Sequence, residues 1–581
     1  MKVLLSGNEA IARGAWEAGV GVAAAYPGTP STEILETLAT LPEVRAQWSP
    51  NEKVALEVAY GAAVAGSRAL AAMKHVGLNV AADPLLSAAY TGVNGGLVVV
   101  TADDPGMHSS QNEQDNRHYA RMAKIPCVEP SDSQEAKDFT ALAFDLSEEF
   151  DTPVLLRTTT RISHSKSLVE VGERTARFLK EYAKEPSKYV IIPAHARVRH
   201  SVVEARLLDL ADYAERTPLN RVEWRDKRIG VIASGISYQY VREVLPEASV
   251  LKLGLTFPLP AGLIASFAAQ VETVWVVEEL EPFIEDQVKA MGIRCRGKDA
   301  LPREGEFNPD TLRRAILDTG APPAGPAPGS PALPVRPPVL CPGCPHRGVF
   351  YALKQLNLTV TGDIGCYTLG VMPPLEAMDT CLCMGASISA AIGMVKANSD
   401  LIGHTVAVIG DSTFLHSGMT GLLDAVYNKA PIPVLILDNR TTAMTGHQDH
   451  PGTGRTLQGE PAAALDYLAL AKALGVKRVS VVDPLNLEQL KARLREDLAA
   501  GEPAVIVARR PCALLSRKPA APLAVDPAAC RMCRSCLRIG CPAISAAGGT
   551  VAIDPGLCNG CGLCAGVCKF NAIGKAGEAS A

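Results

Sequence analysis

The chain has 581 residues, 47% of them apolar and 20% charged, with a formal net charge of −4, which describes a globular polypeptide of about four domains. Its basic residues are scattered, so no nucleic-acid footprint is visible; uncharged runs such as PLLSAAYTGVNGGLVVVTA carry Pro, Gly or Asn inside them, so no membrane span is expected. Sixteen cysteines in so large a chain point to metal chemistry in a reducing compartment, with the cytoplasm as the default, and not to disulfides.

In chain order, residues 1–175 alternate short apolar runs (VGVAAAY, GGLVVVTA, TPVLLRTTT) with Ala-rich stretches of helical period, which predicts a parallel α/β domain. Residues 176–227 read as a helical connection and residues 228–319, opening with RIGVIASGISYQYVREVL, as a smaller α/β domain. Residues 320–340 contain eight prolines and are expected to form an extended tether. A third α/β domain, residues 341–518, holds the apolar runs TVAVIGD and PVLILDN.

Residues 519–581 are set apart by their cysteines. Cys530, Cys533 and Cys536 lie three apart, as do Cys558, Cys561 and Cys564, and each trio suits three corners of a 4Fe-4S cubane. In the bacterial ferredoxin pattern the last cysteine of each run ligates the other cluster, so Cys568 joins the first trio and Cys541 the second. Four residues, not three, separate Cys536 from Cys541, and Lys569 stands in place of the second proline. Structural zinc fits such interleaved trios poorly.

In the third domain Asp411 ends one predicted strand and Asn439 the next. If the strands are parallel neighbours, both side chains emerge at one sheet edge. With the backbone carbonyl of Thr441 they make hard oxygen ligands for a Mg²⁺ ion that also holds a diphosphate; turn capping is the plainer alternative. In the first domain the turn YPGTPSTE (Tyr26 to Glu33) links a strand to a helix, and NEKVALEVAYGAAVAG puts Glu52 in a first helical turn, where the dipole alone favours an acid. The loop TADDPGMHSSQNEQDNRHYA gathers Asp103, Asp104, His108, Asn112, Asp115 and Arg117 after a strand, with His108 or Arg117 able to meet a substrate carboxylate. Cys341 and Cys344 (CPGC), Cys366 (GDIGC) and Cys512 (RRPC) supply enough thiols for a third cubane; buried free cysteines are the alternative.

The GD of Gly410 and Asp411, followed after 27 intervening residues by Asn439, resembles the thiamine diphosphate motif, with Ser412 where many members have glycine and Asp438 where many have asparagine. DNRTTAMTGHQDHPG is similar to the matching stretch of 2-oxoacid:ferredoxin oxidoreductases, and the whole chain, from GNEAIARG to the tail, resembles the large subunits of the indolepyruvate ferredoxin oxidoreductase family. The resemblance implies a multidomain thiamine-diphosphate-binding fold. In it residues 1–175 form the pyrimidine domain, residues 228–319 a transketolase-C-like middle domain, residues 341–518 the diphosphate and magnesium domain, and the tail a ferredoxin-like α+β domain. It further implies that Gly410, Asp411, Ser412, Asn439, Thr441, Met444, Thr445 and Gly446 lie by the cofactor. Glu52, chosen over Glu57, would act on the aminopyrimidine, Thr29 would stand near the substrate, and Gly28 would leave room there. The CPGC, GxGC and late PC elements would hold a cluster close to the thiamine.

The implied reaction is oxidative decarboxylation of an arylpyruvate, such as indolepyruvate, with coenzyme A to arylacetyl-CoA and CO₂. Two electrons leave one at a time through the clusters to ferredoxin. No coenzyme A site is evident in this chain, so a smaller beta subunit and a heteromeric enzyme are expected. The alternatives are pyruvate or another 2-oxoacid as substrate, a non-oxidative thiamine decarboxylase, which has no use for eight ferredoxin cysteines, and a non-catalytic electron carrier.

Overall fold

The computed structural model describes residues 1–175, 179–317, 336–515, 520–547 and 549–575; most of the expected tether, 320–335, lies outside them. The chain divides into two compact units, Met1–Ala332 and Leu333–Ala581.

The first unit is built on a seven-stranded sheet in the order Leu255–Phe257, Cys127–Val128, Val154–Thr159, Leu97–Asp103, Ala69–Lys74, Val22–Ala25, Arg45–Trp48. Every pairing is parallel except that of the edge strand Leu255–Phe257. All residues of Leu97–Asp103 and Val154–Thr159 are buried, which is why these strands read as unbroken apolar runs: helices cover both faces of a parallel sheet. A second sheet, in the order Thr273–Val277, Asp226–Ser234, Ala248–Leu253, Arg221–Glu223, comes from the segment expected to be a middle domain, except that Arg221–Glu223 and the start of Asp226–Ser234 belong to residues 176–227, expected to be a helical connection. That segment also supplies the edge strand Leu255–Phe257, and Met73 and Val99 share one apolar core with Ile232, Leu251 and Phe283.

The second unit holds a six-stranded, wholly parallel sheet in the order Thr380–Cys381, Thr359–Gly362, Thr405–Gly410, Pro433–Asp438, Ala504–Arg509, Arg478–Val482. Gly410 is registered against Leu437, so the strands before Asp411 and Asn439 end nearly level. The tail is α+β: Leu523–Val525 pairs antiparallel with Ile573–Lys575, and Ile544–Ala547 with Thr550–Ile553, beside the short helix Leu563–Gly566. Ile539, Leu563 and Ile573 pack in one core with Phe350 and Leu353, so the tail is docked within this unit. The extra residue before Cys541 is taken up by a 3₁₀ turn, Ser535–Ile539, closed by Gly540 at φ +66°, a backbone region that glycine enters without penalty. Among the described residues no helix is long and apolar enough to cross a membrane. The fold class is the expected one, parallel α/β followed by an α+β tail.

Candidate active site

Asp411 opens a helical run that begins as the strand Thr405–Gly410 ends; the run passes through a π segment, Phe414–Gly418, and continues as the helix Met419–Tyr427. A π bulge inside a helix often accompanies a functional site, and free N–H groups at such a start favour an anion. The Asp411 carboxylate is buried; Oδ1 accepts from the Ser412 N–H at 2.9 Å and Oδ2 from the Arg440 N–H at 2.9 Å. Across the edge, the buried Asn439 accepts at Oδ1 from the Thr441 N–H (3.1 Å), and its amide nitrogen lies 3.3 Å from His346 Nε2. Burial holds the His346 imidazole down at about 4 against the pull of Asp411, so the ring is neutral beside the amide.

Two further groups complete this edge. The Gly452 N–H donates to His450 Nδ1, which assigns the proton of a neutral ring to Nε2. That nitrogen is buried 3.3 Å from Asp411 Oδ2 and has no hydrogen-bond partner. Thr442 Oγ1 donates to Ser412 Oγ at 3.0 Å. Asp438, on the same strand as Asn439, is a different kind of residue. It is gripped by Arg509 (2.6 Å) and Arg440 (3.4 Å), and burial together with the Asp411 charge pushes its carboxyl up. Among the residues expected by the cofactor, Thr445 is tied to Gln448 (2.6 Å), Gly446 sits at φ +123°, and Met444 is exposed. A hard-oxygen pair, an unpartnered buried imidazole N–H and helix-start amides fit a magnesium-bound diphosphate by the chemistry of their donors.

The tail cysteines gather in two sets. Cys541, Cys558, Cys561 and Cys564 line one cavity with Leu523, Ile539 and Ile553, while Cys530, Cys533, Cys536 and Cys568 line another with Val525, Val551 and Ile573. Each set therefore takes one cysteine from the opposite half of the repeat. Besides thiols and aliphatic side chains, Arg347 and Asn559 line the first cavity and Arg531, Arg534 and Ser535 the second; four thiols in each make a donor set that suits an iron–sulfur cluster. Burial and the neighbouring sulfurs push Cys564 up to about 12; ligation by iron would draw such a thiol into the thiolate form.

Cys344 lines the first of these cavities. It, Cys366 and Cys512 are each raised by burial first and then by sulfurs of the set Cys341, Cys344, Cys366 and Cys512, reaching about 12 for Cys344 and about 11 for Cys366. The Cys512 N–H donates to the Asn439 carbonyl at 2.9 Å, which ties this set to the Asp411–Asn439 edge. Arg347 is buried between the sets: its guanidinium donates to the carbonyls of Ile539 (2.9 Å), Gly540, Leu340 and Cys341 (3.2 Å). His346, Arg347 and His450 were missed in the sequence, although the first two follow CPGCP directly and the third lies inside DNRTTAMTGHQDHPG.

In the first unit Glu52 is buried at the start of the helix Glu52–Val64, behind an Asn51 side chain that caps the Val54 N–H at 2.9 Å. A Cβ on Gly77 would fall 2.6 Å from Glu52 Oε1, so only glycine leaves this carboxylate its place. The loop after Leu97–Asp103 departs from expectation. Arg117 is fully buried, paired with Asp115 and with Glu278 at 2.6 Å, and it cannot meet a substrate carboxylate. Asp103 is held by Arg157 at 2.8 Å, and His108 is exposed and faces Glu306 at 3.3 Å.

Residues 13–227 match the family model of the pyruvate flavodoxin/ferredoxin oxidoreductase thiamine diphosphate-binding domain, residues 363–508 that of the thiamine pyrophosphate enzyme C-terminal TPP binding domain, and residues 551–574 that of the 4Fe-4S binding domain. Indolepyruvate oxidoreductase subunit IorA of Archaeoglobus fulgidus is 44% identical over 98% of this chain and 97% of its own length. The chain belongs to the IorA family. The IorA subunit of Pyrococcus horikoshii is 42% identical over 99% of this chain and 97% of its own. By contrast, 2-oxoglutarate synthase subunit KorA of Methanothermobacter thermautotrophicus matches at 32% over only 29% of this chain and 48% of its own. The chain is a subunit of a thiamine-dependent oxidoreductase, and it carries both a thiamine diphosphate domain and a 4Fe-4S domain.

Proposed function

We propose that the chain is the cofactor-bearing subunit of an enzyme that oxidatively decarboxylates indolepyruvate and related arylpyruvates. A 2-oxoacid anion, the thiol of coenzyme A and two oxidised ferredoxins give the acyl-CoA thioester, CO₂, two reduced ferredoxins and one proton. The observation that carries this reading is the pair of four-cysteine cavities docked in the same unit as the Asp411–Asn439 edge: an electron exit beside a cofactor site is what an oxidative enzyme needs and a non-oxidative one does not.

Bound thiamine diphosphate supplies the carbon nucleophile and electron sink for loss of CO₂. Asp411, Asn439 and the Thr441 carbonyl hold Mg²⁺, while Gly410, Ser412, Met444, Thr445 and Gly446 border the diphosphate. Glu52 exchanges a proton with the aminopyrimidine and Thr29 faces the substrate. Cys530, Cys533, Cys536 and Cys568 hold one 4Fe-4S cluster, and Cys541, Cys558, Cys561 and Cys564 the other. Cys341, Cys344, Cys366 and Cys512 are the candidate ligands of a third, a set whose Cys512 N–H donates to the Asn439 carbonyl. The relatives are named as subunits, in keeping with a smaller partner chain that provides the coenzyme A site.

Anaerobic assay of the complete enzyme with a panel of 2-oxoacids tests the reading: coenzyme A-dependent ferredoxin reduction is expected with arylpyruvates, and turnover with pyruvate alone would sink it. Cys561→Ala is expected to abolish ferredoxin reduction while the first bound substrate is still decarboxylated. Iron analysis reads the third cluster directly, about twelve irons per chain establishing it and about eight rejecting it.

A further inference from the structure

The basic side chains at the carboxyl edge of the first sheet are nearly all committed to carboxylates. Arg117 pairs with Asp115 and Glu278, Arg157 with Asp103 and Glu129, Arg161 and His108 with Glu306, and His164 with Glu33 at 3.8 Å. His75 rests on the Asn112 carbonyl at 3.1 Å. Lys74, the last residue of the strand Ala69–Lys74, is the exception. Among the described residues its ammonium has no carboxylate within ion-pairing distance and makes one contact, 2.9 Å to the Ser109 carbonyl, from a half-buried residue.

Its placement is built. The Lys74 stem lies over Gly28, whose added Cβ would meet Lys74 Cγ at 3.4 Å and Cβ and Cδ at 3.5 Å. The space that Gly28 was expected to leave open is therefore bordered by this side chain, next to Thr29. The acceptor loop is fixed by Asp104, which takes the Ser109 N–H (2.9 Å), the Ser110 hydroxyl (2.7 Å) and the Thr160 hydroxyl (2.7 Å). Asp104 spends these three bonds on the loop and lies beyond ion-pairing distance of the lysine. Burial pushes the Lys74 ammonium down although the Asp104 and Glu52 charges pull the other way, as for a cation short of a counter-ion.

We propose that the Lys74 ammonium receives the carboxylate of the 2-oxoacid substrate, positioning the keto carbon beside Thr29 and Glu52. This rests on the function proposed above but requires only a 2-oxoacid, not an aryl one. The ammonium grips the carboxylate alike before and during the first bond change at the keto carbon, which is uniform binding, so its loss reads in KM and not in kcat.

The test uses the complete enzyme with Lys74→Met, which keeps the stem, and Lys74→Arg. Lys74→Met is expected to raise the KM for indolepyruvate about ten- to hundredfold, the worth of a charge-assisted hydrogen bond. The KM for coenzyme A and kcat should stay within about threefold, and Lys74→Arg should restore most of the loss. Calorimetric titration with indole-3-propionate, a carboxylate without the keto group, should show weakening by a similar factor, while its neutral amide binds both proteins alike. A KM for the oxoacid within about twofold of wild type in both variants would overturn the proposal, and so would carboxylate and amide weakened equally, which marks a structural lysine. Should the wild type turn over no arylpyruvate, the function reading fails first, and the same comparison on the 2-oxoacid it does use still decides Lys74.

Discussion

At the carboxyl edge of the first sheet, Arg117 and Arg157 are sealed from solvent among Asp103, Asp115, Glu129 and Glu278. At the corresponding edge of the second sheet, Asp411 and Asn439 are also buried, yet they meet backbone N–H groups and two histidines, one of which leaves Nε2 without a hydrogen-bond partner. Both edges are places where ligands bind in parallel α/β proteins. Each arginine of the first set is held by two carboxylates, a strut that fastens the strand Leu97–Asp103 to the segment around Glu278; among the described residues no Lys or Arg side chain pairs with Asp411, which leaves the second set open to a cation. Position alone does not separate a site from a brace. An opposite charge already in place does.

The largest effect should come from breaking the strut. Arg117→Met would leave Asp115 and Glu278 buried without their cation, and a loss of about 3–5 kcal/mol is expected in denaturant unfolding; a loss below about 1 kcal/mol would erase the distinction between the two edges. Next comes Glu279, whose carboxylate accepts from the Phe307 N–H at 2.8 Å. Burial pushes it up to about 7, against the hydrogen bond and Arg157. The folded chain therefore holds this proton to higher pH than the unfolded chain, so stability is present at low pH and falls as pH rises from about 5 to 8, by up to about 3 kcal/mol. Glu279→Gln should flatten that profile in melts across the range. The smallest effect belongs to the exposed pair Arg313–Glu243 (3.0 Å), where Glu243→Ala should change stability by less than about 0.5 kcal/mol.

What the sequence disclosed follows the same division. Cysteine spacing is local, so the two tail sets, with the crossing of Cys541 and Cys568, were readable before any coordinates. Asp411 and Asn439 were readable because strand ends are marked by the switch from apolar runs to polar residues. Arg117 misled, because a basic residue in a polar loop looks solvated when its partner Glu278 is 161 positions away. Lys74 gave no signal at all: its meaning depends on the stem crossing Gly28 and on the absence of a carboxylate partner, facts of packing that no motif carries. The joining of the first and middle segments through the strand Leu255–Phe257 was equally hidden, since a three-residue antiparallel edge has no periodicity to show.

The most direct measurement is calorimetric titration of Mg²⁺ and thiamine diphosphate into cofactor-free complete enzyme, comparing wild type, Asp411→Asn and Arg117→Met. Asp411→Asn keeps the shape and removes the charge; it should weaken binding by more than about hundredfold with its melting temperature unchanged, while Arg117→Met, at a temperature where it is folded, binds as wild type does. Unchanged affinity in Asp411→Asn, or equal losses in both variants, would contradict the assignment of the second edge as the ligand site and the first as a brace.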